Sequence, residues 1–168
     1  PFIGEGEVPI DQQELERRLY CVRKQVGREI HLSGQAEFYE SFYVCNLSTR
    51  TFCYKGQLMS RQLATYFLDL NDPELESALS LVHSRYSTNT FPSWGRAQPM
   101  RFIAHNGEIN TVRGNQNWMR AREGMFETDL FGDNDRFLPV IPPGGSDSAD
   151  FDQALEMLTL TGRSLPHS

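Results

Sequence analysis

The chain has 168 residues and a mass of 19.2 kDa, with 16 basic against 22 acidic residues and a formal charge of −6. That length suits one globular domain, and 39% hydrophobic with 23% charged residues buries a core instead of leaving a disordered chain. An acidic chain without a Lys/Arg run is no general nucleic-acid binder, and no apolar run approaches the roughly 18 to 20 residues that span a bilayer, so a soluble, cytoplasmic protein is expected.

The start, Pro1-Phe2-Ile3-Gly4-Glu5, has no basic or apolar signal segment and no initiator Met, which reads as a longer polypeptide cut at this point. Asp11 and Glu14 form a capping-box pattern. Leu15, Leu19, Val22, Val26 and Ile30 follow at helical spacing and predict a long amphipathic helix. Its Arg17, Arg18, Arg23, Lys24 and Arg28, interspersed with Glu14, Glu16 and Glu29, read as a solvated face. Ser41 to Leu47 and Thr51 to Tyr54 predict two strands joined through Ser48-Thr49-Arg50. Ser60 starts a short helix with Leu63, Tyr66 and Phe67, and Asp72-Pro73 starts another.

Two further apolar runs, Ala78 to His83 and Met100 to His105, read as strands that end in polar residues. A helix is predicted from about Thr111 to Glu123, punctuation over Pro139 to Gly145, and a last helix from near Ser148 to Thr161. The apolar stripe of that helix is Phe151, Ala154, Leu155, Met157 and Leu158. Blocks of hairpins and helices without βαβ alternation give an α+β class, helices packed on largely antiparallel sheets. Cys21, Cys45 and Cys53 lack C-x-x-C spacing, so packing roles in a reducing compartment are expected.

Three segments carry candidate chemistry. In the first, Arg85 ends an apolar run ahead of Ser87 and Thr88. A guanidinium there clamps a carboxylate through two parallel N–H bonds, or the polar loop simply satisfies backbone groups. In the second, Asn106-Gly107 offers a side-chain amide and a closely approachable backbone N–H for a developing oxyanion, or makes an ordinary tight turn. In the third, Gly144-Gly145-Ser146-Asp147 precedes a helix, where Asp147 caps it or receives an ammonium group. No third ligand joins His83 and His105, so no metal is assigned.

Taken together, HSRYSTNTFPSW at 83–94, AHNGEINTVRGNQNWM at 104–119 and GGSDSADFD at 144–152 resemble the glutaminase domain of glutamate synthases, within the class II glutamine amidotransferases. ERRLYCVRKQ and FYVCNLSTRTFCYKGQLMSRQL extend the likeness over nearly the whole chain. The resemblance implies an N-terminal nucleophile hydrolase fold, an αββα sandwich of antiparallel sheets, with the chain as part of one such domain truncated at both ends. It implies hydrolysis of L-glutamine, with ammonia passing to 2-oxoglutarate. Arg85 would hold the α-carboxylate with Ser87 and Thr88 beside it, Asp147 the α-ammonium, and Asn106 and Gly107 the oxyanion.

The family nucleophile is an N-terminal Cys whose α-amine serves as base; here residue 1 is Pro, so an internal piece without the nucleophile is expected. The resemblance further implies FMN and an iron-sulfur cluster in the full enzyme but none in this piece. The implied partners are the remaining domains and a reductase subunit or ferredoxin, in the cytoplasm or a plastid stroma. Gln98 stands where other class II amidotransferases carry His and is left out of the site. The alternatives are the glutaminase domain of another class II amidotransferase, or a noncatalytic amino-acid-binding domain.

Overall fold

The computed structural model describes residues 9–34, 42–85 and 91–168. Helix α1 runs Gln12–Leu32, and its N-cap Asp11 accepts from the backbone N–H groups of Gln13 and Glu14, one half of the expected capping box, while the Glu14 carboxylate pairs with Arg18 instead of reaching back to Asp11 N. Helix α2 is a single turn, Leu63–Tyr66, entered through a 3-10 turn at Ser60–Gln62. Helix α3 spans Arg113–Glu123 and α4 spans Asp147–Leu160. The N-cap of α4 is Ser146, whose hydroxyl accepts from Ala149 N, so Asp147 is the first helical residue and keeps its carboxylate for other bonds.

The core lies where α1 crosses α4 and the 126–141 segment. Tyr20 and Cys21 of α1 pack with Phe131, Phe137, Val140, Ile141 and Met157, and the Phe131 ring lies 5.7 Å from Tyr20 and 4.8 Å from Phe137. Each such aromatic contributes about 1.5–3 kcal/mol by leaving water. Polar ties fix the segment: Lys24 Nζ donates to the Val140 carbonyl at 2.8 Å, and Val140 N donates to Glu123 Oε1 at 2.7 Å. The buried face of α1 differs from the predicted stripe, because Val22 and Val26 are exposed while Arg23 is buried against Glu156 of α4. A charge is buried in a helix face only beside its counter-charge, and that partner lies 133 residues away in sequence. Likewise Phe151 is exposed while Asp152 and Glu156 are buried.

Among the described residues there is no β-strand. The 42–48 and 51–55 runs carry no ladder, the 78–83 run is exposed instead of buried, with Leu79 and Val82 open to solvent, and Met100 to His105 is a bend without a strand. Apolar composition marks a segment for burial, but strand status needs backbone partners from neighbouring chain. Asp72-Pro73 makes a turn, not a helix: Asp72 Oδ1 accepts from Glu74 N and Leu75 N donates to the Asp72 carbonyl. The antiparallel sandwich therefore is not seen in the described residues, and Ser41, Ser87 and Thr88 lie outside them.

Candidate functional site

Asp152 organises the site. Its carboxylate, 1% exposed, accepts from three successive backbone N–H groups, Arg101 at 3.2 Å, Phe102 at 2.7 Å and Ile103 at 3.2 Å. Burial raises its pKa while those N–H bonds and Arg101 oppose the rise. The turn so held is closed by Met100 N donating to the Ile103 carbonyl, and Gln98 Oε1 accepts from His105 N at 2.7 Å. The chain leaves this support at His105 and presents Asn106 and Gly107 to solvent.

Two hydrogen bonds tie that corner to the other candidate segments. His83 Nε2 lies 3.0 Å from Asn106 Oδ1, and because an amide oxygen only accepts, the imidazole is the donor. His105 Nε2 lies 2.7 Å from Ser148 Oγ, and Ser148 donates from its backbone at 2.6 Å and its hydroxyl at 3.1 Å to Asp147 Oδ1. With the hydroxyl proton committed to the carboxylate, His105 donates to Ser148. The run ending at Arg85 and the start of α4 are thus each hydrogen-bonded to one of two neighbouring residues at the corner, Asn106 and His105. Arg85 itself is exposed, two residues beyond His83. Sequence reasoning missed His83, His105, Ser148, Asp152 and Gln98 as parts of this framework; the one signal was that both histidines end apolar runs.

Backbone geometry separates the readings of the glycines. A hairpin turn of the Asn-Gly type needs positive φ at both residues, yet neither Asn106 nor Gly107 has one. A Cβ on Gly107 would meet only His105 Nδ1, at an ordinary 3.6 Å. Neither strain nor crowding within the described residues calls for glycine there. Gly145 is different: a Cβ there would stand 2.2 Å from Asp150 Oδ1, so the Gly144-Gly145 turn, with Gly144 at φ +85°, makes room for a buried carboxylate. Burial raises the Asp150 pKa, against a hydrogen bond from Gln116 at 2.6 Å.

Among the described residues no group of three or more His, Cys, Asp or Glu is placed to hold a metal ion, and no helix is long and apolar enough to cross a membrane. The three cysteines do not fit a cluster of four thiolate ligands: Cys21 is buried with its thiol directed at the Phe131 carbonyl, while Cys45 and Cys53 face each other.

A sequence model of the class II glutamine amidotransferases matches residues 2–168. The chain belongs to that family. Membership in the class II amidotransferases brings the N-terminal nucleophile hydrolase fold with it. Among curated relatives, a glutamate synthase [NADH] of Schizosaccharomyces pombe is 54% identical over 159 residues, 94% of this chain and 7% of the relative. A glutamate synthase [NADPH] large chain of Bacillus subtilis is 45% identical over 99% of this chain and 11% of its own length. A chloroplastic ferredoxin-dependent glutamate synthase of Oryza sativa subsp. japonica is 43% identical over 90% of this chain and 9% of the relative. The chain thus spans about a tenth of the length of the glutamate synthases it matches.

Proposed function

We propose that this chain is the glutamine-hydrolysing part of a glutamate synthase, furnishing most of the glutamine pocket and the oxyanion hole. The observation that carries this reading is the path His83–Asn106 and His105–Ser148–Asp147, which connects the three segments a bound amino acid needs. Arg85 takes the α-carboxylate through paired N–H bonds, with Ser87 and Thr88 alongside. Asp147, which spends Oδ1 on Ser148, receives the α-ammonium. The substrate amide then faces Asn106 Nδ2 and the Gly107 N–H, which stabilise negative charge as a thiolate adds to the carbonyl carbon. His83 fixes the Asn106 oxygen and so turns its amino group toward the substrate.

Collapse of the tetrahedral intermediate releases ammonia and leaves a thioester, which water hydrolyses to glutamate. Cys21, Cys45 and Cys53 are internal and have no free α-amine, so this reading takes the attacking thiol from an N-terminal Cys outside residues 1–168, whose own amine serves as base. In a whole glutamate synthase, residues outside this chain would hold FMN and an iron-sulfur cluster, which would supply electron transfer for forming glutamate from 2-oxoglutarate and ammonia; this chain's residues form the ammonia source. The relatives' names carry NADH, NADPH or ferredoxin, and one of them a chloroplast location; the reading adds a reductase subunit or ferredoxin as partner and a cytoplasmic or plastid location. The finer fold expected is the αββα sandwich, with this chain as one part of a single domain.

The test is steady-state glutamine hydrolysis by the full-length protein containing this segment. Arg85→Ala is expected to raise the KM for glutamine more than about tenfold, a lost charge-assisted pair. Asn106→Ala is expected to lower kcat by about 10²–10³ with little change in KM. Wild-type kinetics in both variants would refute the assignment.

A further inference from the structure

The extended runs on either side of Ser48–Arg50 fold back on each other in a fixed register. Asn46 Nδ2 donates to Thr51 Oγ1 at 2.9 Å, and Ser48 Oγ accepts from the backbone N–H groups of Arg50 and Thr51 at 3.0 and 3.3 Å. Further along, Lys55 Nζ lies 4.7 Å from the Tyr43 ring centroid and 3.4 Å from its hydroxyl. With Lys55 against Tyr43 and Thr51 against Asn46, positions 45 and 53 fall between these two contacts. Those positions are Cys45 and Cys53. Both are half-buried free thiols, hydrogen-bonded to each other, with Lys55 and Arg101 nearby.

We infer that Cys45 and Cys53 form a dithiol site that reacts with hydroperoxides and closes to an intramolecular disulfide. The hydrogen bond from Cys53 brings the Cys45 thiol down to about 6 against the opposing effect of burial, while the same bond pushes Cys53 up. Cys45 is therefore the attacking thiolate and Cys53 the resolving thiol. The Cys45 sulfur attacks one peroxide oxygen, the O–O bond breaks, and the departing hydroxide or alkoxide takes a proton, leaving Cys45 as a sulfenic acid. Cys53 then attacks that sulfur, its proton leaves with the hydroxyl as water, and the S–S bond forms. The two thiols lose two electrons and two protons, and the peroxide is reduced to two waters, or to water and an alcohol.

Closure to a disulfide needs the two Cβ atoms about 3.5–4.5 Å apart. The site stands apart from the proposed glutamine pocket, and its test does not depend on that reading. Lys55 nevertheless also donates to the Trp94 and Ala97 carbonyls at 3.1 and 2.6 Å, and Arg101 to the Val44 carbonyl at 2.7 Å. The cations beside the thiols thus brace the segment that leads to Asn106.

The test treats the native full-length protein with one equivalent of hydrogen peroxide, alkylates the remaining thiols, and digests with trypsin. Arg50 separates the cysteines, so the disulfide links peptides 29–50 and 51–55, and mass spectrometry reads the linked pair directly. The expected result is that pair, lost on reduction and absent from Cys45→Ser. In Cys53→Ser the Cys45 sulfenic acid should accumulate and be trapped by a dione. Before oxidation, Cys45 should alkylate at least about tenfold faster than Cys21 at pH 7. Needing no variant, phenylarsine oxide should also protect both cysteines of the reduced protein together from alkylation. Separate peptides after oxidation, preferential reaction of Cys21, or failure of the arsenical to protect the pair would overturn the inference.

Discussion

Asn106 has two hydrogen-bonding ends, and His83 engages the oxygen. That assigns the amino group to whatever sits in front of the corner. His83→Ala is expected to lower kcat by about tenfold, less than Asn106→Ala, because it frees the amide to rotate without deleting the donor. His83→Gln, whose amide N–H₂ can donate to the same oxygen, should recover part of that loss. A KM-dominated effect of His83→Ala would instead place His83 in ground-state binding. Lys24 offers a second residue-scale prediction. Burial, with Arg23 adding to it, lowers its pKa from 10.5 to about 7. The unfolded chain then holds one more proton between about pH 7 and 10.5, so the Lys24 contribution makes stability rise with pH through that window, at up to about 1.4 kcal/mol per pH unit. Below about pH 7 the lysine is charged in both states and its full burial cost is present. Cys21 and Tyr20, raised by burial, act oppositely only as pH passes their unfolded values. Urea midpoints of wild type and Lys24→Met between pH 7 and 8.5 check this: the variant should lack the Lys24 part of the slope.

At the scale of elements, helix boundaries were legible and burial was not. Asp11 and the spacing of apolar residues located α1 and α4 to within a residue or two, because capping and periodicity are local, but the cap of α4 is Ser146 and not the expected Asp147. Arg23 and Asp152 were misjudged because what buries them is distant in sequence: Glu156 for the first, the N–H groups of 101–103 for the second. The 78–83 run shows the converse, an apolar stretch whose covering surface is not among the described residues. The three candidate segments were legible as motifs; the two histidine hydrogen bonds that join them are tertiary and had no local signature. Glu156→Ala, which strands the Arg23 guanidinium, should cost about 3–5 kcal/mol, whereas Arg23→Met with Glu156→Leu should cost much less. Denaturant unfolding of the two variants against wild type measures the difference. Asp152→Ala leaves three N–H groups unpaired and should destabilise by at least about 3 kcal/mol while lowering kcat for glutamine hydrolysis.

Across the whole molecule, large apolar residues are open to solvent well away from the α1–α4 core. Phe52 is 80% exposed, Leu79 74%, Val82 76% and Phe91 90%. Surfaces of that kind are covered in use, and glutamate synthases ten times longer than this chain have the additional chain to cover them. Residues 1–168 alone should therefore bind a hydrophobic dye strongly, and the same segment within the longer protein should not; weak dye binding by the isolated chain would contradict this. The central claim is that one amino acid is held between Arg85 and Asp147 with its side-chain carbonyl at Asn106-Gly107. A crystal structure of the full-length protein with L-glutamate tests it most directly. The account predicts the α-carboxylate on Arg85, the α-ammonium on Asp147 and a side-chain oxygen within hydrogen-bond reach of Asn106 Nδ2 and Gly107 N. Glutamate bound elsewhere, with Arg85 and Asp147 both out of contact with it, would contradict it.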